Sequence, residues 1–388
     1  MRNTRLTTGI AITIFLTMVA FGLRFKAARA LPVDHDERAY FPASQRYSLA
    51  LAVRNWDQII DEDYNAEHPP LVKLFYGVIV SFSGDQELAE SPGLIPYRPF
   101  YLTRVSSAVL GSLQVLVLAL INPLAGFFLA IHSWQIKYTS QIMLESLPSL
   151  TSLLAVLAYQ KAGGKRNTWL YLSAVALGIT AASKYIYALV GIAIVLHWLW
   201  ISRSEIKPFQ IAGLWRWLIP VVVWGLISIG IFFLFNPHLW RDPAGRLIYS
   251  FLQQRAYIQM NAAKHIAFPL WQPLIWLSRS APLDPGAYYF SIDPIITLFA
   301  LLGISRLIQK HLVFALWLFV VLAFLLVWPT KWPQYILVLT VPLAISASEG
   351  VYVILNNLAI HRLFRSFQSR IPSRILSGGR SPIQRGKN

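Results

Sequence analysis

Two acidic groups stand side by side in the stretch Val33-Asp34-His35-Asp36-Glu37-Arg38-Ala39-Tyr40, just after the first apolar run of the chain. Neighbouring side chains usually point apart, so Asp36 and Glu37 need not share a proton. They suit divided labour: one carboxylate acts on a substrate while the other starts a helix or pairs with a cation. The same residues also read as a solvated loop with an N-cap ahead of a helix. A second acid and an imidazole follow in Asn65-Ala66-Glu67-His68-Pro69-Pro70-Leu71-Val72-Lys73, on a turn stiffened by two prolines. A His near carboxylates could also ligate a divalent metal, but the spacing is irregular, and no cofactor is expected.

Single charges then fall at matching ends of later apolar runs: Arg104, Glu145, Lys184 and Lys331. Lys and Arg in such places often only snorkel. Their convergence on one face, however, suits an anionic lipid headgroup. A phosphate about 4 Å from one cation gains at most about 4 kcal/mol at an effective dielectric of about 20. Asn236-Pro237-His238-Leu239-Trp240-Arg241-Asp242-Pro243 opens a further polar stretch that continues through Gln254 and Tyr257. Aromatic rings there could stack on a sugar face while Asn and Gln bond its hydroxyls, or they are belt residues of a membrane interface. The sequence has no phosphate-binding glycine loop, no nucleophile elbow and no Cys or His metal framework. That points to an activated donor already resident in the membrane.

The elements that must position these groups are membrane helices. The chain of 388 residues is 56% hydrophobic and only 13% charged, where a soluble protein carries roughly 25% charge. Apolar runs of about 16–23 residues, enough for about 30 Å of hydrocarbon, alternate with short polar or basic segments. Ten spans are expected: Thr7–Leu23, Tyr101–Ile121, a short run Leu124–Trp134, Met143–Tyr159, Trp169–Ala182, Tyr185–Ile201, Leu218–Phe235, Ile292–Leu307, Val313–Trp328 and Tyr335–Leu355. They form a transmembrane domain over residues 1–360, with long loops at 24–100 and 236–291 and a basic tail at 361–388. In the first loop, Gln45–Ile60 has helical apolar spacing, and Leu71–Phe82 is too short to cross. The first is expected to lie at the interface and the second to be interfacial or re-entrant.

Placing Arg2 and Arg5 inside puts Lys161, Lys165 and Arg166, then Arg203 and Lys207, then Arg306 and Lys310, on the same side. Both long loops, the link Lys137–Gln141 and the segment Pro329–Gln334 then face outward. This distribution accounts for the net charge of +17 without nucleic acid, since no basic groove with interleaved aromatics is present. The absence of Cys excludes disulfides and says little about compartment. The first run is long for a signal peptide and lacks a nearby small-x-small site, so it is expected to remain as an anchor.

Several of these stretches together resemble the GT-C class of polytopic glycosyltransferases that use lipid-linked sugars, in particular the protein O-mannosyltransferase and aminoarabinose transferase branch. Asp36-Glu37 resembles that class's acidic motif in the first outer loop. Glu67-His68-Pro69-Pro70-Leu71-Val72-Lys73 is similar to the His-Pro-Pro-Leu-x-Lys segment of the mannosyltransferases. The stretch Arg104-Val105-Ser106-Ser107-Ala108-Val109-Leu110-Gly111 resembles the start of their second span. Leu144-Glu145, Ser183-Lys184-Tyr185 and Lys331-Trp332-Pro333-Gln334-Tyr335 follow in family order. The large outer-loop domain of the eukaryotic mannosyltransferases is replaced by Asn236–Ser291.

The resemblance implies an all-α, GT-C-like bundle that moves a sugar, with inversion, from a polyprenyl-phosphate donor to an acceptor hydroxyl on a lipid, glycan or protein. It implies Asp36 as catalytic base with Glu37 supporting. It also implies Arg104, with Lys73, Lys184 or Lys331, at the donor phosphate. Glu67, His68, Glu145, Asn236, His238, Trp240 and Tyr335 are the expected substrate-binding residues. The expected setting is a bacterial inner membrane, active site outward. A transporter or flippase for an anionic lipid-linked precursor is the alternative, and would call for polar groups near mid-membrane.

Overall fold

The computed structural model describes residues 2–83, 98–203, 211–260, 268–288 and 291–368. The tail beyond Gln368, Lys207 and parts of both long loops lie outside the described residues. All ten expected apolar runs are helical. Helix α1 covers Arg2–Ala30 and packs along α5, Arg98–Ile121. Next come α6 (Pro123–Ile131), α7 (Ser133–Tyr138), α8 (Ser146–Ala162) and α9 (Thr168–Ser183). A 3-10 turn, Tyr185–Leu189, leads into α10, Val190–Ser202, and α11 spans Ile211–Leu234. The last spans are α14 (Asp293–Lys310), α15 (Leu312–Val327) and α16 (Leu337–Gln368). Among the described residues, four helical segments, Thr8–Ala30, Arg98–Ile121, Tyr185–Ser202 and Pro333–Leu358, are long and apolar enough to cross a membrane. The protein is an integral membrane protein built as an all-α bundle. Helix α14 crosses α16 at backbone contact: a Cβ on Gly303 would lie 1.8 Å from the Ser346 carbonyl oxygen, so only glycine fits there.

The short third run is corrected in an informative way. It extends to Tyr138 and breaks at His132, whose ψ of 118° interrupts the helix. Helix α6 alone, at about 1.5 Å per residue, is far too short to cross. With α7 it reaches from Asn122, which donates to Ser348 at 2.8 Å, to Lys137, paired with Asp34 at 3.1 Å. A break inside a membrane frees backbone groups that must find partners, and charged side chains supply them. Arg24 of α1, fully buried, donates to the Leu129 and Ala130 carbonyls at 3.4 and 3.2 Å. Asp293 of α14 accepts from the Ser133 N–H at 3.0 Å and from its hydroxyl.

The long loops carry the remaining helices. The interfacial helix expected over Gln45–Ile60 begins earlier, as α2 over Glu37–Ala52, and a separate α3 forms at Trp56–Asp61. The chain turns between them through Arg54, at φ 53°, and Asn55 caps α3 by accepting from the Gln58 N–H at 3.1 Å. Helix α4, Leu71–Ser81, forms where the short apolar run lies, and α2 packs on it. In the second loop, α12 covers Pro243–Gln259 and α13 Gln272–Leu277. Arg241 pairs with Asp57 and Asp61, and Arg246 with Asp61 at 2.5 Å, tying α12 to α3.

Candidate active site

The first-loop acids separate as the sequence predicts for neighbours. Glu37, at the first turn of α2, is fully buried and pairs with Arg104 of α5 through both carboxylate oxygens, at 2.7 and 2.5 Å. It also accepts from the backbone N–H groups of Asp34, at 2.9 Å, and Ile142, at 2.7 Å. Arg104 spends its other hydrogens on the carbonyls of Ala28, Leu31 and Pro32 at 2.7–3.1 Å. A guanidinium has five N–H donors, and all five are engaged. The pair therefore anchors α2 to α1, α5 and the Gln141–Ile142 strap.

Asp36 occupies the N-cap position of α2 but makes no capping hydrogen bond. Its carboxylate instead lines a polar cavity of about 210 Å³ whose wall includes Asn65, Glu67, His68, Lys184, Gln254 and Tyr335. Gln334 donates to Asp36 Oδ2 at 3.0 Å. Burial pushes the Asp36 carboxyl up to about 6, opposed by Lys184 and reinforced by Glu145 and Asp34. Burial, then the nearby Lys184 and Lys73, hold His68 well below the ordinary imidazole range, so it is neutral at pH 7. Glu67 accepts from Asn65 at 2.6 Å and faces the same space.

A second cavity, about 270 Å³, abuts the first and is mainly apolar. Ile186, Leu189, Phe251, Phe324 and Trp328, from the 3-10 turn, α12 and α15, line it. The two cavities share Glu67, His68, Lys184, Gln254 and Tyr335 in their walls. Lys184 is the one Lys or Arg in either wall among the described residues. Its ammonium pairs with Glu145, at the N-cap of α8, and lies 5.5 Å from the centre of the Tyr335 ring. An amphipathic ligand with one negative charge at its polar–apolar boundary fits this arrangement.

The expected site residues thus fall into three groups. Asp36, Glu67, His68, Lys184 and Tyr335 meet at the cavities. Glu37 and Glu145 stand behind them, each holding a cation. Lys73, Asn236 and His238 line a much smaller space of about 10 Å³ beside His68. Four expected placements differ, the first being Arg104, whose donors are all engaged by Glu37 and the carbonyls of residues 28–32. Lys73 turns its ammonium onto the carbonyls of Asn65, at 2.7 Å, and His68, at 3.1 Å, clamping the Pro-Pro turn. Lys331 donates to the Trp328 carbonyl and is absent from both cavity walls. Trp240 is 43% exposed, donates to the Phe233 carbonyl at 2.9 Å and is absent from both cavity walls. Among the described residues, no group of three or more His, Cys, Asp or Glu is arranged to hold a metal ion.

Gln334, Tyr40 and Asn65 were not expected as site residues, and Gln254 and Tyr257 entered only as possible sugar contacts of the second loop. The signal for the last two was present: Ser250, Phe251, Gln254 and Tyr257 fall on one face of α12 at helical spacing. Tyr185 stacks on Phe251 at 6.1 Å and joins α12 to the start of α10.

No family model matches the chain, and no curated protein matches it significantly. Solved structures do. ArnT from Cupriavidus metallidurans bound to undecaprenyl phosphate is 16% identical, with a TM-score of 0.57 over 90% of this chain and 60% of that one. The same protein in the apo state is 18% identical, with a TM-score of 0.55 over 89% and 60%. A stretch of 59% of this chain also overlays 33% of the S. cerevisiae protein O-mannosyltransferase Pmt1–Pmt2 complex bound to the sugar donor, at 16% identity and a TM-score of 0.49. The chain spans about three-fifths of the length of the ArnT structures it matches. The GT-C-like bundle expected from the sequence is the fold found.

Proposed function

We propose that this protein is a membrane glycosyltransferase that moves a sugar from a polyprenyl-phosphate donor to an acceptor hydroxyl. One observation carries the reading: a polar cavity containing Asp36 meets an apolar groove at Lys184. The groove takes the lipid, Lys184 the phosphate, and the polar cavity the sugar and the acceptor hydroxyl. The shared fold with ArnT, a protein seen bound to undecaprenyl phosphate, supports a lipid phosphate as ligand.

Asp36 orients the acceptor hydroxyl and takes its proton as the bond to the anomeric carbon forms. An aspartate ordinarily has a pKa of about 3.9 and is a poor base toward an alcohol. At about 6 it is a better match to the proton transfer, while still mostly ionised at pH 7. As the anomeric carbon–oxygen bond breaks, charge grows on the lipid phosphate, and Lys184 stabilises it. Attack opposite the leaving group inverts the anomeric centre. Arg104, with every donor engaged, serves as the anchor of Glu37 and not as a phosphate ligand. The outer face is the proposed location of the site. Lys161 and Arg203, at the far ends of α8 and α10, support that orientation by the positive-inside rule.

The experiment is to incubate the purified chain with a panel of radiolabelled polyprenyl-phosphate hexoses and pentoses. Release of lipid phosphate with transfer of label is the expected result. Movement of the intact donor across a proteoliposome membrane without cleavage would instead identify a flippase. Asp36→Asn should lose transfer while remaining folded and inserted; normal turnover by that variant would remove Asp36 as the base.

A further inference from the structure

Asp36 reaches its cavity from the beginning of the chain, and Gln334 from near its end. The 3-10 turn Pro333–Ile336, ahead of α16, delivers the Gln334 amide to Asp36 Oδ2 at 3.0 Å. Among the described residues, Oδ1 takes no hydrogen bond, and the side chain is not used as a helix cap. A carboxylate freed from capping and held by one oxygen is oriented without being neutralised. We propose that Gln334 is a positioning residue for Asp36: it fixes the carboxylate by Oδ2 and leaves Oδ1 to receive the acceptor hydroxyl. This rests on the transferase reading for its consequence, but not for its geometry.

The surroundings leave this task to Gln334. The charged groups acting on Asp36 are Lys184, Glu145, Asp34 and His35, and Glu67 and His68 face it across the cavity. Tyr40, Tyr257 and Tyr335 also line the wall. Lys184 pairs with Glu145 and makes no hydrogen bond to Asp36, Asp34 pairs with Lys137 at 3.1 Å, and Glu67 with Asn65. Gln334 alone among them makes a hydrogen bond to the Asp36 carboxylate. A hydrogen bond to the charged form of an acid favours that form, so the amide also keeps Asp36 ionised against its burial.

The test is a pH titration of the full chain in detergent, following the protonated-carboxyl band of Asp36 by infrared difference spectroscopy, with Asp36→Asn identifying the band. Wild type should titrate near 6. Gln334→Leu keeps the bulk and removes the donor, and should raise the midpoint by about one unit, a tenfold change in the ionisation equilibrium. Gln334→Glu places a like charge beside Asp36 and should raise it further. In the lipid-phosphate release assay, the acidic limb of kcat should move up with the midpoint while KM for the donor stays unchanged. A midpoint unmoved in both variants overturns the proposal, even where turnover falls. Absence of lipid-phosphate release by wild type from every donor tested would overturn the transferase reading instead, and the titration would still decide the role of Gln334.

Discussion

Lys184 carries two burdens that can be separated. Its side chain and that of Glu145 are 5% and 1% exposed and form an ion pair, while the second Glu145 oxygen, Oε2, has no hydrogen-bond partner among the described residues. Lys184→Met alone strands a buried carboxylate, which costs about 3–5 kcal/mol of stability. Any loss of ligand binding in that variant would be uninterpretable. In the double variant Lys184→Met/Glu145→Gln, both charges go together, and such replacements are often neutral or stabilising. Its stability should stay within about 1 kcal/mol of wild type, read as Tm in detergent. The missing charge-assisted hydrogen bond to a phosphate should cost about 1.5–3 kcal/mol, or roughly ten- to a hundredfold in Kd. Calorimetric titration with undecaprenyl phosphate measures that loss. A folded double variant that binds undecaprenyl phosphate as tightly as wild type would refute the placement of the phosphate at Lys184.

Asp36→Asn should raise Tm at pH 7. The folded-state pKa, about 6, lies above the unfolded value near 3.8, so ionisation costs stability as pH climbs from about 4 to 6, and the gain in the variant should vanish below pH 4; an equal gain at every pH would show another cause. Arg104→Ala should destabilise the fold by about 3–5 kcal/mol by stranding Glu37; a variant with unchanged Tm that loses only undecaprenyl-phosphate binding would restore Arg104 to the donor site. Arg246→Ala removes part of the exposed tie between α12 and α3 and should speed amide exchange in Pro243–Gln259 with little change in Tm; unchanged exchange would show that α12 is held by its apolar contacts.

The acidic pair shows how far spacing alone can reach. Adjacent residues on a chain leaving a span point in different directions, so separate placements for Asp36 and Glu37 followed from local geometry. Which carboxylate pairs with a buried cation needed Arg104, 67 positions away from Glu37 in sequence. The broken third run was legible only as a weak span. Its break is tolerated because Arg24 and Asp293, from two other helices, satisfy the freed backbone groups. Trp240 shows the opposite case: a polar loop rich in aromatics suggested sugar stacking, but composition cannot tell a ring facing a cavity from one facing the interface.

Hydropathy and charge are encoded locally, and the elements they dictate are legible residue by residue. Membrane helices form wherever apolar residues run long enough, and polar groups collect where those runs end, because hydrocarbon accepts no unpaired backbone or charge. Which of four candidate cations faces the two cavities depends on packing between distant parts of the chain. Buried cations bind whatever acceptors the fold brings within reach, and such acceptors are not near in sequence. Arg104 is consumed by Glu37 and the carbonyls of residues 28–32, Lys73 by its own turn and Lys331 by the Trp328 carbonyl. Lys184 also has a partner, but its partner, Glu145, stands behind it, and so its charge remains at the junction of the polar cavity and the apolar groove.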